Sequence, residues 1–164
     1  MDQVRFTGFH EGERPGAYID SEGHWTIGYG HKMKPGLESM LAKSMGAALR
    51  ITAAQTKELL DMDLAVARED YARLFGAMGD AINPARRIVL TDMLFNLGRG
   101  GFLQFTNTIK AIRAGDWSGA ADRALLSKWA EQVGTRARRV AYVLKHGAFA
   151  PERHKLYIAD EGLL

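Results

Sequence analysis

The chain contains no cysteine and only four prolines among its 164 residues. The absence of cysteine excludes a disulfide scaffold, cysteine-ligated zinc or iron–sulfur centres and a cysteine nucleophile. No segment reaches the roughly 18 apolar residues of a membrane-spanning helix. Residues 1–6 also lack the basic head and following apolar stretch of a signal peptide. The sequence therefore predicts a protein made in a cytoplasm, without stable membrane insertion, that depends on core packing alone.

The composition is that of a globular domain with a small excess of positive charge. Hydrophobic residues make up 46% of the chain and charged residues 25%, which argues against disorder. Lysine and arginine number 22 against 19 aspartate and glutamate, so the net charge is +3. This charge favours anionic partners, but it does not distinguish nucleic acid, lipid headgroups and cell-wall polymers.

The first 36 residues hold seven of the 18 glycines and predict a short helix followed by a β-hairpin. The helix spans about Asp2 to Glu11, and Gly12 is its natural stop. Two strands, 17–20 and 24–29, are separated by the turn 21–23. Alternation places Trp25 on one face of the second strand. The opposite face is nearly bare of side chains, and we expect it to be open to a ligand.

The rest of the chain is helical in pattern. Thr52 to Gln55 form a capping-box signature for a long connecting helix that runs to about Phe75. Asn83 and Pro84 begin the next helix, and further helix starts and glycine stops follow. The predicted starts lie at Thr106, Asp116 and Thr135, and the predicted stops lie at Gly98, Gly115, Gly134 and Gly147. The predicted fold class is α+β: a β-containing lobe (12–52), a connecting helix (53–75) and a helical lobe (1–11 and 76–164). The tail could form a docked helix through Leu156, Tyr157 and Ile158.

Three polar residues near the hairpin form a candidate site for glycoside hydrolysis. Glu11 lies at the negative end of its helix dipole, which suits a carboxyl group that donates a proton. Asp20 ends the first strand beside a polar turn, where it ionises more easily, and Thr26 lies across the hairpin. From spacing alone, the two acids are more often solvated surface charges, with Glu11 paired to Arg14 and Thr26 an ordinary strand residue.

The residues around this site resemble the tailed-phage lysozymes, or endolysins. Glu11, Asp20 and Thr26 match the motif Glu-x8-Asp-x5-Thr of that family. Other matching segments follow in the family's order: 28–31, 105–108, 116–117, 128–129 and 135–140.

The resemblance implies a lysozyme-like fold of two lobes and a muramidase that cuts the β-1,4 bond between N-acetylmuramic acid and N-acetylglucosamine in peptidoglycan. Glu11 would protonate the leaving oxygen, while Asp20 and Thr26 would activate a water on the opposite face, with inversion. Arg136 matches an arginine that lies against the catalytic glutamate in the family. His31 is implied to be structural, and we expect it to pair with Asp63, the polar interruption of the connecting helix.

Five further positions match residues that line the family's sugar cleft: Gly30, Lys32, Phe95, Thr108 and Arg123. Lys32 and Arg123 add positive charge relative to the family pattern, which favours contact with acidic stem peptides. Trp117 and Trp129 have the helical spacing of core residues.

No cofactor and no metal are predicted, because the five histidines are scattered without a ligand pattern. The basic cluster of Arg136, Arg138, Arg139 and Lys145 lacks a nucleic-acid-binding motif, and Arg138 and Arg139 are interpreted as a solvated helix face, so no nucleic acid partner is expected. The resemblance implies a monomer that is made in the host cytoplasm, passes a membrane-hole protein, and lyses the cell from the periplasm. The alternative is a non-catalytic peptidoglycan-binding or toxin-accessory module of the same fold.

Overall fold

The computed structural model describes residues 1–150, which contain eight α-helices, three short strands and one 3-10 turn. In chain order these are α1 (Gln3–Glu11), β1 (Arg14–Ile19), β2 (Trp25–Gly28), β3 (His31–Lys32), α2 (Leu37–Met45), the 3-10 turn (Gly46–Ala48), α3 (Ala53–Ala81), α4 (Pro84–Leu103), α5 (Thr106–Arg113), α6 (Trp117–Leu125), α7 (Lys128–Val133) and α8 (Thr135–His146). This confirms the predicted α+β class. The tail helix predicted through 156–158 lies outside the described residues. Within residues 1–150, no helix is long and apolar enough to cross a bilayer.

The described chain divides into two compact units, the N-terminal unit (Asp2–Val66) and the C-terminal unit (Ala67 onward, with Met1). The sequence predicts residues 1–11 in the helical lobe, whereas α1 groups with the sheet in the N-terminal unit. The predicted lobe boundaries otherwise stay predictions.

The N-terminal unit is built on a three-stranded antiparallel sheet of order β1-β2-β3. The predicted hairpin is present, and Tyr18 pairs with Thr26 across it. The third strand was not predicted. It pairs with β2 so that Lys32 lies opposite Thr26 and His31 opposite Ile27. This register brings the residues after the hairpin back beside the candidate site.

The expectation of a bare, open face on the second strand is only partly met, because His24 and Gly30 are exposed whereas the residues between them on that face are not. Thr26 is only 2% exposed, and Gly28 is buried. A methyl group added at Gly28 would lie 3.2 Å from Thr56 Cγ2 and 3.5 Å from Ile51 Cδ1. The glycine therefore allows the start of α3 to pack closely against the strand, and the middle of this face, at Thr26 and Gly28, forms part of the core.

The long helix α3 begins as the sequence predicts. The Thr52 N–H and hydroxyl donate to Gln55 Oε1 at 2.9 and 3.0 Å, and the Gln55 N–H donates to Thr52 Oγ1 at 3.2 Å. This is the reciprocal capping box. The helix kinks at Gly76, whose φ of +50° strongly favours glycine, close to the predicted end at Phe75.

The C-terminal unit buries the apolar faces of α4, α6 and α8. Leu90, Met93, Ala120, Val140 and Leu144 are essentially inaccessible to solvent. The predicted helix starts and stops are close to those observed, although α4 kinks at Gly98 and continues to Leu103, and α7 was not predicted. Amphipathic spacing and helix caps therefore account for most of this unit.

The two tryptophans predicted as core residues differ. Trp129 is 4% exposed, which confirms the prediction, and its indole N–H donates to Asn96 Oδ1 at 2.7 Å. Trp117 is only half-buried, with the Arg86 guanidinium 4.3 Å above its ring centre. It is therefore a surface residue covered by a cation rather than a core residue.

Candidate active site

Glu11 is the last residue of α1, and local chemistry fixes its position. The Asp2 side chain accepts the Arg5 N–H at 2.8 Å and caps the start of the helix. Gly12 ends the helix with a φ of +71°. A methyl group added at Gly30 would lie 3.8 Å from Glu11 Oε2. Glu11 is half-exposed, and its carboxyl lies beside the Gly30 backbone.

Asp20 is held as a carboxylate by its own turn. Its Oδ1 accepts the N–H groups of Glu22 at 2.9 Å and His24 at 2.8 Å. These bonds, above all that from the His24 N–H, lower the pKa of Asp20, and burial only partly opposes them. The predicted ease of ionisation is thus confirmed. Its Oδ2 lies 3.3 Å from Thr26 Oγ1 and 3.9 Å from Lys32 Nζ.

The Thr26 hydroxyl is positioned by two acceptors. It lies 3.3 Å from Asp20 Oδ2 and 3.2 Å from the His24 carbonyl oxygen. A hydroxyl carries one hydrogen and two lone pairs, so it can donate to one of these oxygens and still accept a bond from a water. Thr26 therefore adds an acceptor next to a fixed carboxylate oxygen.

Lys32 is directed toward the turn between β1 and β2. Its amine donates to Glu22 Oε2, and Glu22 in turn lies 3.6 Å from His24 Nδ1. The Glu22 carboxylate raises the pKa of Lys32, so the amine is a stable cation. Ligand atoms of Asp20, Glu22 and His24 lie within 4.8 Å of one another, but two backbone N–H groups already bind one Asp20 oxygen. A surface charge network thus surrounds Asp20.

The predicted pairing of His31 with Asp63 is present. The ring Nδ1 lies 3.0 and 2.9 Å from the two Asp63 carboxylate oxygens. Glu38 Oε2 lies 3.6 Å from the other ring nitrogen. The hydrogen bond to Asp63 raises the pKa of His31 despite its burial. The backbone N–H of Lys34 lowers the pKa of Glu38, with a smaller contribution from His31. This cluster ties β3 to α2 and α3.

Three of the predicted sugar-cleft residues, Phe95, Thr108 and Arg123, belong to the C-terminal unit. Thr108 is buried and Arg123 exposed, and both line a pocket of about 550 Å³ formed by α5, α6 and α7. Arg123 lies 3.5 Å from Asp116 Oδ2. Phe95 is half-exposed on α4. The structure therefore brings Thr108 and Arg123 to one cavity, with the Trp129 ring in its wall.

Arg136 makes a contact that was not predicted. Its Nε and one terminal nitrogen donate to the two carboxylate oxygens of Asp92 at 2.9 and 2.8 Å. Asp92 is fully buried and Arg136 is 6% exposed. This two-point pairing fixes the guanidinium plane. The placement of Arg136 against Glu11 stays a prediction.

Arg138 and Arg139 were expected to lie on a solvated helix face, but they are less exposed to solvent than this predicts. Both are half-buried, and burial lowers the pKa of Arg139. Arg138 donates to Thr135 Oγ1 at 2.9 Å.

Three acidic residues of these networks were missed from sequence: Glu22, Glu38 and Asp92. Asp92 interrupts the apolar run 89–94 of α4, the same signal by which Asp63 was singled out in α3. It could have been found on that ground, although its partner could not. Glu22 and Glu38 carry no such signal, because acids in turns and first helical turns are common surface residues.

Comparison with known proteins relates most of the chain to one family. A family model described as phage lysozyme matches residues 8–144. The chain is 33% identical over 151 residues to the pre-baseplate central spike protein Gp5 of Enterobacteria phage T4, a match covering 84% of the chain but only 26% of that longer protein. It is 27% identical over 154 residues to the probable T4-type lysozyme 1 of Dictyostelium discoideum, covering 85% of the chain and 91% of the relative. It is 32% identical over 118 residues to the endolysin of Salmonella phage P22, covering 72% of the chain and 75% of the relative.

The helical architecture with its small antiparallel sheet and the matches along the chain define a lysozyme. The chain belongs to the phage lysozyme family.

Proposed function

We propose that this lysozyme hydrolyses the β-1,4 bond between N-acetylmuramic acid and N-acetylglucosamine in peptidoglycan, with inversion. Asp20 carries the proposal, because its Oδ1 is bound by two backbone N–H groups while its Oδ2 lies 3.3 Å from the Thr26 hydroxyl. A carboxylate so fixed remains ionised and cannot serve as the proton donor. It suits the base that activates a water.

The proposed reaction uses one proton donor and one proton acceptor. Glu11 gives its proton to the glycosidic oxygen as the bond from that oxygen to the anomeric carbon breaks. A water held by Asp20 and Thr26 attacks the anomeric carbon from the opposite face and loses its proton to Asp20. The half-exposed position of Glu11 at the end of α1 is compatible with reaching a bound glycan. Because water attacks directly, the product has the inverted anomeric configuration.

Lys32 has a supporting role in this scheme. Its amine lies 3.9 Å from Asp20 Oδ2 and donates to Glu22, so it keeps a positive charge beside the base. Gly30 leaves space next to Glu11, since a side chain there would face the carboxyl at 3.8 Å. Both positions are therefore proposed to contact the sugar nearest the cleaved bond.

Residues of the C-terminal unit are proposed to bind the glycan or its acidic peptides. The pocket that Thr108 and Arg123 line also contains Lys128, and its lining includes no acidic residue. Such a lining favours ligands that carry both carboxylates and apolar groups. Phe95 is proposed as a further sugar contact. Arg136, fixed by Asp92, is proposed to support Glu11.

Relatives named endolysin support a role in lysis of a bacterial host. In that role the enzyme reaches the wall from the cytoplasm through a membrane-hole protein and acts as a monomer. The rival function is a wall-binding module without activity, which would have no use for a fixed base next to a hydroxyl.

The test is clearance of purified peptidoglycan by the wild type, Glu11→Gln and Asp20→Asn. We expect each variant to lose about 10²–10⁴-fold in rate, since each removes one proton-transfer group. Glu13→Gln is the matched control, because it removes the same charge from an exposed position two residues away and should clear at the wild-type rate.

The products identify the bond and the stereochemistry. New reducing ends on N-acetylmuramic acid, initially in the inverted configuration by NMR, are expected. Reducing N-acetylglucosamine ends would contradict the proposed bond, and a retained configuration would contradict direct attack by water. A wild type that clears nothing, or a Glu11→Gln variant that clears as well as the wild type, would refute the catalytic assignment.

A further inference from the structure

The second helix, α2, presents an apolar face that no described residue covers. Leu37 is 72% exposed, Met40 67%, Leu41 41% and Met45 46%. Their spacing of three, four and eight residues from Leu37 places them on one side of the helix. Ala42, on the inner side, is its only buried residue. Ala47 and Ala48 in the following 3-10 turn are also exposed. We call this surface, from Leu37 to Ala48, the α2 face.

The sequence around the α2 face has a net positive charge. Residues 33–50 contain three basic side chains, Lys34, Lys43 and Arg50, and one acidic side chain, Glu38, for a net charge of +2. Lys32, just before this segment, pairs with Glu22 in the turn between β1 and β2 and is not part of this charge. Glu38 accepts the Lys34 N–H at 2.8 Å and is half-buried, so its charge is partly engaged within the unit.

We infer that the α2 face docks on the surface of an anionic phospholipid bilayer. Exposed leucine and methionine side chains next to lysines are typical of helices that lie in the plane of a membrane interface. A helix of nine residues is too short to span a bilayer, but it can insert its apolar side at the level of the headgroups. Docking would hold the enzyme at a lipid surface.

The charge pattern argues against two other partners for the α2 face, a second copy of the chain and a glycan. A symmetric pair of copies joined through this face would bring the same basic residues together, and like charges would oppose association. A hydrated anionic glycan would satisfy the lysines but would provide no apolar phase for Leu37 and Met40. A phospholipid surface of negative charge offers both.

The experiment is sedimentation of the full chain with vesicles of phosphatidylglycerol and phosphatidylethanolamine, and with phosphatidylcholine vesicles for comparison. We expect binding to the anionic vesicles and much weaker binding to the zwitterionic ones. Leu37→Ser with Met40→Ser should weaken partition at least about tenfold, because two apolar side chains lose their burial. Lys34→Gln with Lys43→Gln should weaken it by about fivefold per charge.

The control pair is Met62→Ser with Val66→Ser, which removes equally exposed apolar side chains from α3, at 63% and 65% exposure. It should bind vesicles like the wild type. All these variants should clear lipid-free peptidoglycan at the wild-type rate, so this test is separate from that of the proposed hydrolysis.

Absence of binding to anionic vesicles would overturn the inference, as would undiminished binding by the Leu37 and Met40 variant. Equal loss in the control pair would show that α2 is not the docking element. A concentration-dependent dimer that this α2 variant abolishes, without vesicle binding by the wild type, would assign the face to self-association instead.

Discussion

Replacement of His31 by asparagine removes a buried positive charge from the N-terminal unit while keeping an N–H donor near the position of Nδ1. The His31 side chain is 8% exposed and Asp63 is 31% exposed, with 2.9 Å between Nδ1 and Oδ2. Glu38, at 3.6 Å from Nε2, is beyond hydrogen-bond distance and contributes less. The variant therefore tests mainly the charge on one well-formed hydrogen bond.

The size of the effect follows from burial. A hydrogen bond to a charged group contributes about 1.5–3 kcal/mol, and breaking a fully buried ion pair costs about 3–5 kcal/mol. Because nearly a third of the Asp63 side chain is exposed, solvent screening favours the lower range. Because the asparagine keeps an N–H donor to Asp63 and only the charge is lost, we expect His31→Asn to lower the free energy of unfolding by about 1–2 kcal/mol at pH 5.5.

The direction of the pH dependence follows from the raised pKa of His31. The stabilisation is fully present below the unfolded value of about 6.5 and is lost as the pH rises through the raised folded value. Glu38 acts in the opposite sense, because its lowered pKa means that its contribution is lost only as the pH falls through that value. The cluster should therefore stabilise the fold most between about pH 4.5 and 6.5.

Urea unfolding of the wild type, His31→Asn, Asp63→Asn and the double variant at pH 5.5 and pH 9.5 measures the coupling of the pair. The coupling energy should be large at pH 5.5 and near zero at pH 9.5. His24→Asn is the control, because His24 is 57% exposed and its loss should change stability by no more than about 0.5 kcal/mol at either pH. Equal coupling at both pH values, or none at pH 5.5, would refute the reasoning.

Two further substitutions test packing in the C-terminal unit by the same denaturant assay. Arg136→Met should destabilise by about 3–5 kcal/mol, because Asp92 is fully buried and loses two hydrogen bonds; a loss below 1 kcal/mol would contradict a tight pair. Arg86→Ala should cost about 1–2 kcal/mol through the lost bond to the Leu144 carbonyl, 2.8 Å long, and the lost stacking over Trp117. Arg86→Lys should recover part of that loss, and an alanine variant as stable as the wild type would exclude this role.

Elements with a local physical cause were predictable from the sequence. The Asp2 cap and Gly12 stop of α1 act within a few residues, as does the Thr52–Gln55 box of α3. Each depends on backbone groups that are neighbours along the chain. The turn at Asp20 is similar, because an aspartate readily accepts N–H groups two and four residues ahead.

The third strand shows why other features were not predictable. It consists of only His31 and Lys32, too few residues for an alternating pattern. Its register against β2 sets Lys32 opposite Thr26, and thereby near Asp20. In the sequence, Lys32 was identified only by its position in a family motif. Its ion pair with Glu22 could not be predicted, because it depends on the pairing of β3 with β2. For the same reason Gly28 was read as open space, although it is the close approach of Thr56 that requires it.

The sequence by itself determined the hairpin and the starts of most helices, because caps and turns act over a few residues, and it proposed Glu11, Asp20 and Thr26 through a short motif. Only the tertiary structure decided that Asp92 is the described partner of Arg136, 44 residues away, and that Glu38 joins His31. It also decided that no residue among 1–150 covers the apolar side of α2. Contacts of this kind depend on which surfaces the folded chain brings together. They cannot be inferred from the spacing of residues along the sequence.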